Sequence, residues 1–250
     1  MFGLTFNGKH SFNDLGLIMF SQNRPILPEA KIITEEISGK DGEYDFSTVN
    51  PDKRIKYKNR SMEIKFTIKE RDLITLRQKA HSVAEWLACG EQNLIFDDDP
   101  NVYWIAKVTN KVDLEHQIII TKEFTVYFSC KPYCYSSTLT TSTHAVAANG
   151  SKTVANSGTY VKPVIRISGA CDTISFAVNG KTLTYTAPIA VGQPIEIDCE
   201  GGTAYKSGTS SVLNNVSGDF IELIKGNNVV VIAGTNLNCE VSFVFRSKYL

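Results

Sequence analysis

One stretch, Glu70 to Pro100, holds the single convincing helix signal in a chain that otherwise reads as strands. Leu73, Leu76, Ala80, Val83 and Leu87 recur at steps of three or four, which puts them on one face of an α-helix. Arg71, Arg77, Lys79, His81 and Glu85 fall on the other face. Asp72 stands where a negative charge suits the helix dipole, and Gly90 where a left-handed C-terminal cap is expected. A lone amphipathic helix must lay its apolar face on something, and here that can only be a sheet.

Strand signals surround it. Met62, Ile64, Phe66 and Ile68 alternate with Glu63, Lys65, Thr67 and Lys69, the period of a half-buried strand that runs straight into the helix. Leu4–Phe6, residues 32–37, Leu94–Phe96, Val102–Ala106, Ile118–Ile120 and Phe124–Phe128 are further strand candidates, with Lys131–Tyr135 ending the pattern. Pro25 and Pro28 disfavour both helix and central strand. The next segment, to Asn59, is polar and charge-dense, with Lys53, Arg54, Lys56 and Lys58 close together. It reads either as a solvated hairpin or as an extended arm that packs on another subunit.

From Ser136 to Gly158 the chain turns to Ser, Thr, Ala, Asn and Gly, with Leu139 and Val146 the only large apolar residues before Val154. The expected division is therefore residues 1–135 as one domain, 136–158 as linker and 159–250 as a second domain. The second domain is strands throughout, with Asn179-Gly180 the strongest hairpin signal and Gly226-Asn227-Asn228 a second expected turn. Short strands at turn spacings without helix predict a β-sandwich or jelly roll. The fold class expected is mainly β: a sandwich-like N-terminal domain with one helix and an extended hairpin arm, then a jelly-roll sandwich.

Chemistry is scarce. With 42% apolar residues the chain can build a core, and a formal net charge of zero argues against phosphate gripping as the main function. Neither a signal peptide nor a membrane-spanning run is expected, so Cys89, Cys130, Cys134, Cys171, Cys199 and Cys239 are expected as reduced thiols. Cys130 and Cys134 have metal-ligand spacing but no second ligand pair. His10, His81, His116 and His144 are scattered. Asp97, Asp98 and Asp99 lack the spacing of a calcium loop and read as a turn. Glu196 and Asp198 alternate with Ile195 and Ile197, as a solvent face does. Tyr160, Tyr185 and Tyr205 are the candidates for an exposed saccharide platform. No catalytic, cofactor or metal residue is assigned, and no enzyme activity is expected.

In order along the chain, Ser11-Phe12-x-Asp14-Leu15-Gly16-Leu17, Ser38-Gly39-Lys40-Asp41-Gly42, the strand Met62–Ile68, Glu85-Trp86-Leu87, Leu94-Ile95-Phe96-Asp97-Asp98-Asp99-Pro100 and Phe128-Ser129-Cys130-Lys131-Pro132-Tyr133 follow one another. Asn156-Ser157-Gly158-Thr159-Tyr160, Pro163-Val164-Ile165 and Gly218-Asp219-Phe220-Ile221-Glu222-Leu223 continue the series. In order and spacing the chain resembles the distal tail proteins, or baseplate hubs, of long-tailed bacteriophages of Gram-positive bacteria and their prophages. The resemblance implies a virion structural protein whose N-terminal domains form a hexameric ring and whose C-terminal sandwich is galectin-like. It implies a homo-oligomer that joins the tail tube protein to the tail-associated hub or fibre protein and to receptor-binding protein. DNA would pass through the channel without specific binding, at a virion tail tip assembled in the host cytoplasm, with no cofactor and no membrane insertion. The alternatives are a carbohydrate-binding module for host cell-wall saccharide and a cell-wall hydrolase.

Overall fold

The computed structural model describes residues 2–70, 72–112 and 122–250, without the side chains of Leu73 and Lys122. The expected strand at Ile118–Ile120, together with Arg71 and His116, lies outside the described residues. The chain divides into two compact units, residues 1–134 with Leu250, and residues 135–249.

The first unit runs β1 (Leu4–Phe6), β2 (Lys9–His10), β3 (Leu17–Asn23), β4 (Thr34–Glu36), β5 (Glu43–Asp45), β6 (Arg60–Ile68), α1 (Leu73–Leu87), β7 (Gln92–Phe96), β8 (Asp99–Val108) and β9 (Lys122–Ser136). One sheet has the order β2-β1-β7-β8-β9-β6-β3, while β4 and β5 pair only with each other. Strand β6 alternates as its sequence predicts, with Met62, Ile64, Phe66 and Ile68 buried. It is flanked by β9 in the register Phe66↔Phe124 and by β3 in the register Leu17↔Ile68.

Helix α1 begins on Asp72, whose carboxylate accepts from the Thr75 amide at 2.8 Å, satisfying one of the donors a helix start leaves unpaired. Leu76, Val83 and Leu87 are buried, as the spacing requires. The largest anchor is Trp86, which lies beside that stripe. Its ring packs edge-on against Phe6 and Phe66, both at 6.1 Å, and its Nε1–H donates to the Phe6 carbonyl at 2.6 Å. A side chain of that size contributes about 3 kcal/mol by burial, so one residue ties the helix to β1 and β6 together. The expected cap at Gly90 does not form. Gly90 is outside the left-handed region, and the helix ends when the Ala88 amide donates to Ala84 and that of Cys89 to Leu87.

The expected linker is not a linker. Residues 136–158 are the end of β9, all of β10 (Thr140–Val146) and most of β11 (Gly150–Val161). Strand β9 also runs on through Pro132, past the expected stop at Lys131–Tyr135.

The remaining strands are β12 (Val164–Ala170), β13 (Thr173–Val178), β14 (Lys181–Tyr185), β15 (Ile195–Asp198), β16 (Thr203–Lys206), β17 (Ser210–Ser211), β18 (Val216–Gly218), β19 (Leu223–Thr235), β20 (Asn238–Phe245) and β21 (Lys248–Tyr249). A 3-10 turn, Leu213–Asn215, interrupts them. Two antiparallel sheets, β10-β20-β12-β15-β16-β17 and β11-β19-β13-β14-β18, enclose one core built on Ile165, Ile167, Phe176, Leu183, Val230, Ile232 and Phe243. That is the sandwich expected of alternating short strands. Asn179 and Gly180 both take positive φ and close the β13–β14 hairpin as the sequence predicts. Gly226-Asn227-Asn228 does not turn the chain. It lies inside β19, opposite a bulge between Asn156 and Tyr160, and Gly226 takes a φ of 99°. At that bulge Gly158 passes so close to Lys248 that a Cβ would stand 2.4 Å from the Lys248 carbonyl oxygen.

Candidate functional site: an apolar arm held by a buried arginine

The least buried part of the first unit is the segment between β3 and β6. From Arg24 to Asn59 only Pro28 and Ser47 are buried. Its backbone is nevertheless ordered by its own bonds. At the base the Lys31 amide donates to Lys56 at 2.7 Å and that of Lys58 to Glu29 at 2.8 Å. Farther out, β4 and β5 pair in the register Glu35↔Tyr44, and Ser47 accepts from the Ile33 amide through its hydroxyl at 2.9 Å. Ion pairs Lys58–Glu29 and Lys56–Asp52 and the Asn50–Arg54 bonds stiffen it further. Lys56 holds the Asp52 carboxyl below the usual carboxylate range, a shift burial opposes.

A segment with a satisfied backbone should show a polar exterior. Instead Ile26 is 93% exposed, Val49 75%, Ile32 71% and Ile33 57%. Leu27, Ile37, Phe46 and Ile55 are exposed as well. Scattered exposed apolar residues are ordinary, whereas here many large ones fall on one short arm.

Arg60 positions the arm. It occupies the first inward position of β6, in phase with Met62, Ile64 and Phe66, and is 6% exposed. Its guanidinium donates to the carbonyls of Pro25 (2.8 Å), Ile26 (3.2 Å) and Pro132 (2.8 Å). The arm's first residues are therefore clamped to β9. Burial pushes the Arg60 pKa down, opposed by the neighbouring Cys134 and Cys130 thiols. Sequence reasoning missed Arg60, and the signal was present: a charge standing in phase with the apolar positions of an alternating strand.

The other singled-out residues are dispersed. Asp97 accepts from the Gly3 amide at 2.7 Å and from His10 Nε2 at 3.1 Å, Asp98 pairs with Arg24, and Asp99 opens β8. The acidic run is thus a turn whose carboxylates tie down the N-terminal strand and the root of the arm. Cys130 and Cys134 are buried, and burial pushes the Cys130 thiol up to about 12. No group of three or more His, Cys, Asp or Glu converges among the described residues. Glu196 pairs with Arg166 at 2.7 Å, while Asp198 accepts from the Glu200 and Gly201 amides. Tyr185 is core at 2% exposure, and Tyr160 and Tyr205 belong to different sheets, so the three do not form a platform. His81 is exposed on the polar face of α1.

The first unit thus combines an antiparallel sheet, one brace helix and an exposed apolar arm, and the second is a β-sandwich. Residues 11–130 match the model of a phage tail protein RIFT-related domain. Over its whole length the fold is similar to the crystal structure of the SPP1 Dit protein (gp 19.1), described as a paradigm of the hub adsorption apparatus in phages infecting Gram-positive hosts. The TM-score is 0.77, with 15% identity and 100% of each chain covered. No curated protein sequence matches the chain.

Proposed function

We propose that the chain is a distal tail protein, the hub at the tail tip of a long-tailed phage, and that its role is structural rather than catalytic. Six copies form a ring through their N-terminal units. The ring joins the tail tube to the tail-associated hub or fibre protein and to the receptor-binding apparatus, and tape-measure protein and DNA pass through its channel. The observation that carries this reading is the full-length likeness to a tail hub in a chain whose arm exposes Ile26, Ile32, Ile33 and Val49. An arm braced by its own backbone bonds, with large apolar side chains exposed, is suited to lie on a neighbouring copy. A formal net charge of zero fits a channel that must not retain DNA.

Electron microscopy of the purified protein and of tail tips is the test. Six-fold rings are expected, and Ile33→Asp, at a 57% exposed position that leaves each unit folded, should abolish them. Tail tips without a ring, or rings unaffected by Ile33→Asp and by Ile26→Asp, would overturn the reading.

A further inference from the structure

At one end of the C-terminal sandwich the chain passes between its two sheets twice. Strands β12 and β20 belong to one sheet, β13 and β19 to the other. The registers Ala170↔Asn238 and Thr173↔Thr235 set the two crossings side by side. Cys171 stands in the first crossing, between β12 and β13, and Cys239 is the second residue of β20, just past the other.

The backbones come close together there. Gly169 lies opposite Cys239 with a φ of 115°, and a Cβ on it would stand 2.7 Å from the Cys239 Cα. A Cβ on Gly234 would stand 2.1 Å from the Thr173 carbonyl oxygen. Cys171 follows Gly169 by two residues, so it is diagonal to Cys239 across the ladder. A regular ladder holds diagonal positions about 7–8 Å apart, at the edge of what a disulfide spans. The close approach at Gly169 removes that gap, and the Cys171 thiol donates a hydrogen bond to the Cys239 sulfur. Both side chains belong to the sandwich core, Cys171 at 2% exposure and Cys239 at 8%. Two backbone bonds with Ile189, at 2.8 and 3.2 Å, fix Cys171.

The remaining thiols are placed differently. Cys89 donates to the Trp86 carbonyl at 3.7 Å, and Cys199 accepts from the Ile221 amide. Cys130 and Cys134 stand four residues apart on one strand, β9, which separates them by about 13 Å.

We propose that Cys171 and Cys239 are a latent disulfide pair, closed by a low-molecular-weight disulfide such as oxidised glutathione. Cys239, the more exposed, reacts first. Its thiolate attacks one glutathione sulfur and displaces the other glutathione as thiolate, leaving a mixed disulfide. The Cys171 thiolate then attacks the Cys239 sulfur and displaces the second glutathione. The protons lost by the two cysteines go to the two glutathione thiolates, so the pair gives up two electrons and the glutathione disulfide takes two. The hydrogen bond from Cys171 favours the first step, because it stabilises the Cys239 thiolate. Burial raises both thiols, which makes closure slow at neutral pH. The bond closes a loop of about 70 residues, long enough for a cross-link to stabilise strongly. The chemistry is independent of the assembly proposed above. Under that reading the pair is open while the chain folds in a reducing cytoplasm, and the bond closes after release.

The test uses the reduced full-length protein, incubated in native buffer with oxidised glutathione at mildly alkaline pH, then acidified and read by intact mass and peptide mapping. Wild type should lose two hydrogens and join the Cys171 and Cys239 peptides. Cys171→Ala should stop at one glutathione on Cys239. Oxidised wild type should unfold about 10 °C or more above the reduced protein in calorimetry, and dithiothreitol should reverse the shift. Three results in wild type would each overturn the inference: glutathione retained on Cys239, both thiols unchanged, or a joined pair with no rise in melting temperature.

Discussion

Replacing Arg60 by methionine, which keeps the unbranched stem and removes the guanidinium, isolates what the arm's anchor contributes. Three bonds run from a charged donor to the carbonyls of Pro25, Ile26 and Pro132. At about 1.5–3 kcal/mol each they sum to roughly 4–9 kcal/mol. Against this stands the cost of holding a cation in a site whose bonded partners are carbonyls, several kcal/mol, which methionine relieves. The net loss expected is about 2–4 kcal/mol, and it falls on the arm's base before it reaches the sheet. The amides of Lys31 and Lys58, which bridge that base at 2.7 and 2.8 Å, report it directly. Hydrogen exchange there should accelerate about 30- to 1,000-fold, while the amides of β6 beyond Met62 change little. The melting temperature should fall by roughly 5–15 °C, and ring formation should weaken although no arm surface residue has changed. Arg60→Lys cannot span three carbonyls and should fall between. Unchanged exchange at Lys31 and Lys58 in Arg60→Met would refute the clamp and make Arg60 a tolerated core residue.

Trp86→Phe keeps an aromatic ring against Phe6 and Phe66 but leaves the buried Phe6 carbonyl without its donor. It should cost about 1–3 kcal/mol in urea unfolding, and a change below about 0.5 kcal/mol would contradict the tie between α1 and β1. The C-terminal unit should lose stability above pH 9. Burial pushes Cys199 up to about 12 and Cys171 to about 11 from an ordinary 9, so between those values the unfolded chain has released protons that the folded one retains. Denaturant midpoints measured from pH 8 to 11 should fall progressively, and Cys199→Ala should flatten the fall. A flat profile in wild type would contradict the burial of these thiols. His144 contributes on the acid side. Burial beside Lys152 lowers its pKa, so its share of stability is present above the ordinary histidine value and lost as pH drops below it.

Where a strand places large apolar residues at every second position, as at Met62–Ile68 and Ile174–Val178, the sequence declares it. Where the inward residues are few or small, it does not. Strand β11 buries only Val154 and Asn156 ahead of Gly158, and its outward positions are Ser, Thr and Ala, so it reads as a linker although it pairs with β19 on both sides of its bulge. The stretch at Gly226 hid β19 in a similar way, since a glycine followed by two asparagines signals a turn unless partner strands keep it in the sheet. The helix was legible by period, yet Trp86, its largest buried side chain, lies beside the stripe that announced it. In the arm the dense charges drew attention away from Ile26, Ile32 and Ile33, whose exposure only tertiary structure decides.

The burial of the cysteines has a practical side. Five of the six are buried, and a thiol pushed to about 12 is ionised in only about one molecule in 10^5 at pH 7. Thiolate, not thiol, reacts with alkylating dyes, so Cys130 and Cys199 should react only very slowly in the native fold. Cys89 is the half-buried exception, just past the end of α1. Burial raises the Cys89 thiol too, but its partial exposure makes it the position a fluorophore should reach first, beside the helix that braces the first unit. A label there would follow assembly without changing a residue of the arm.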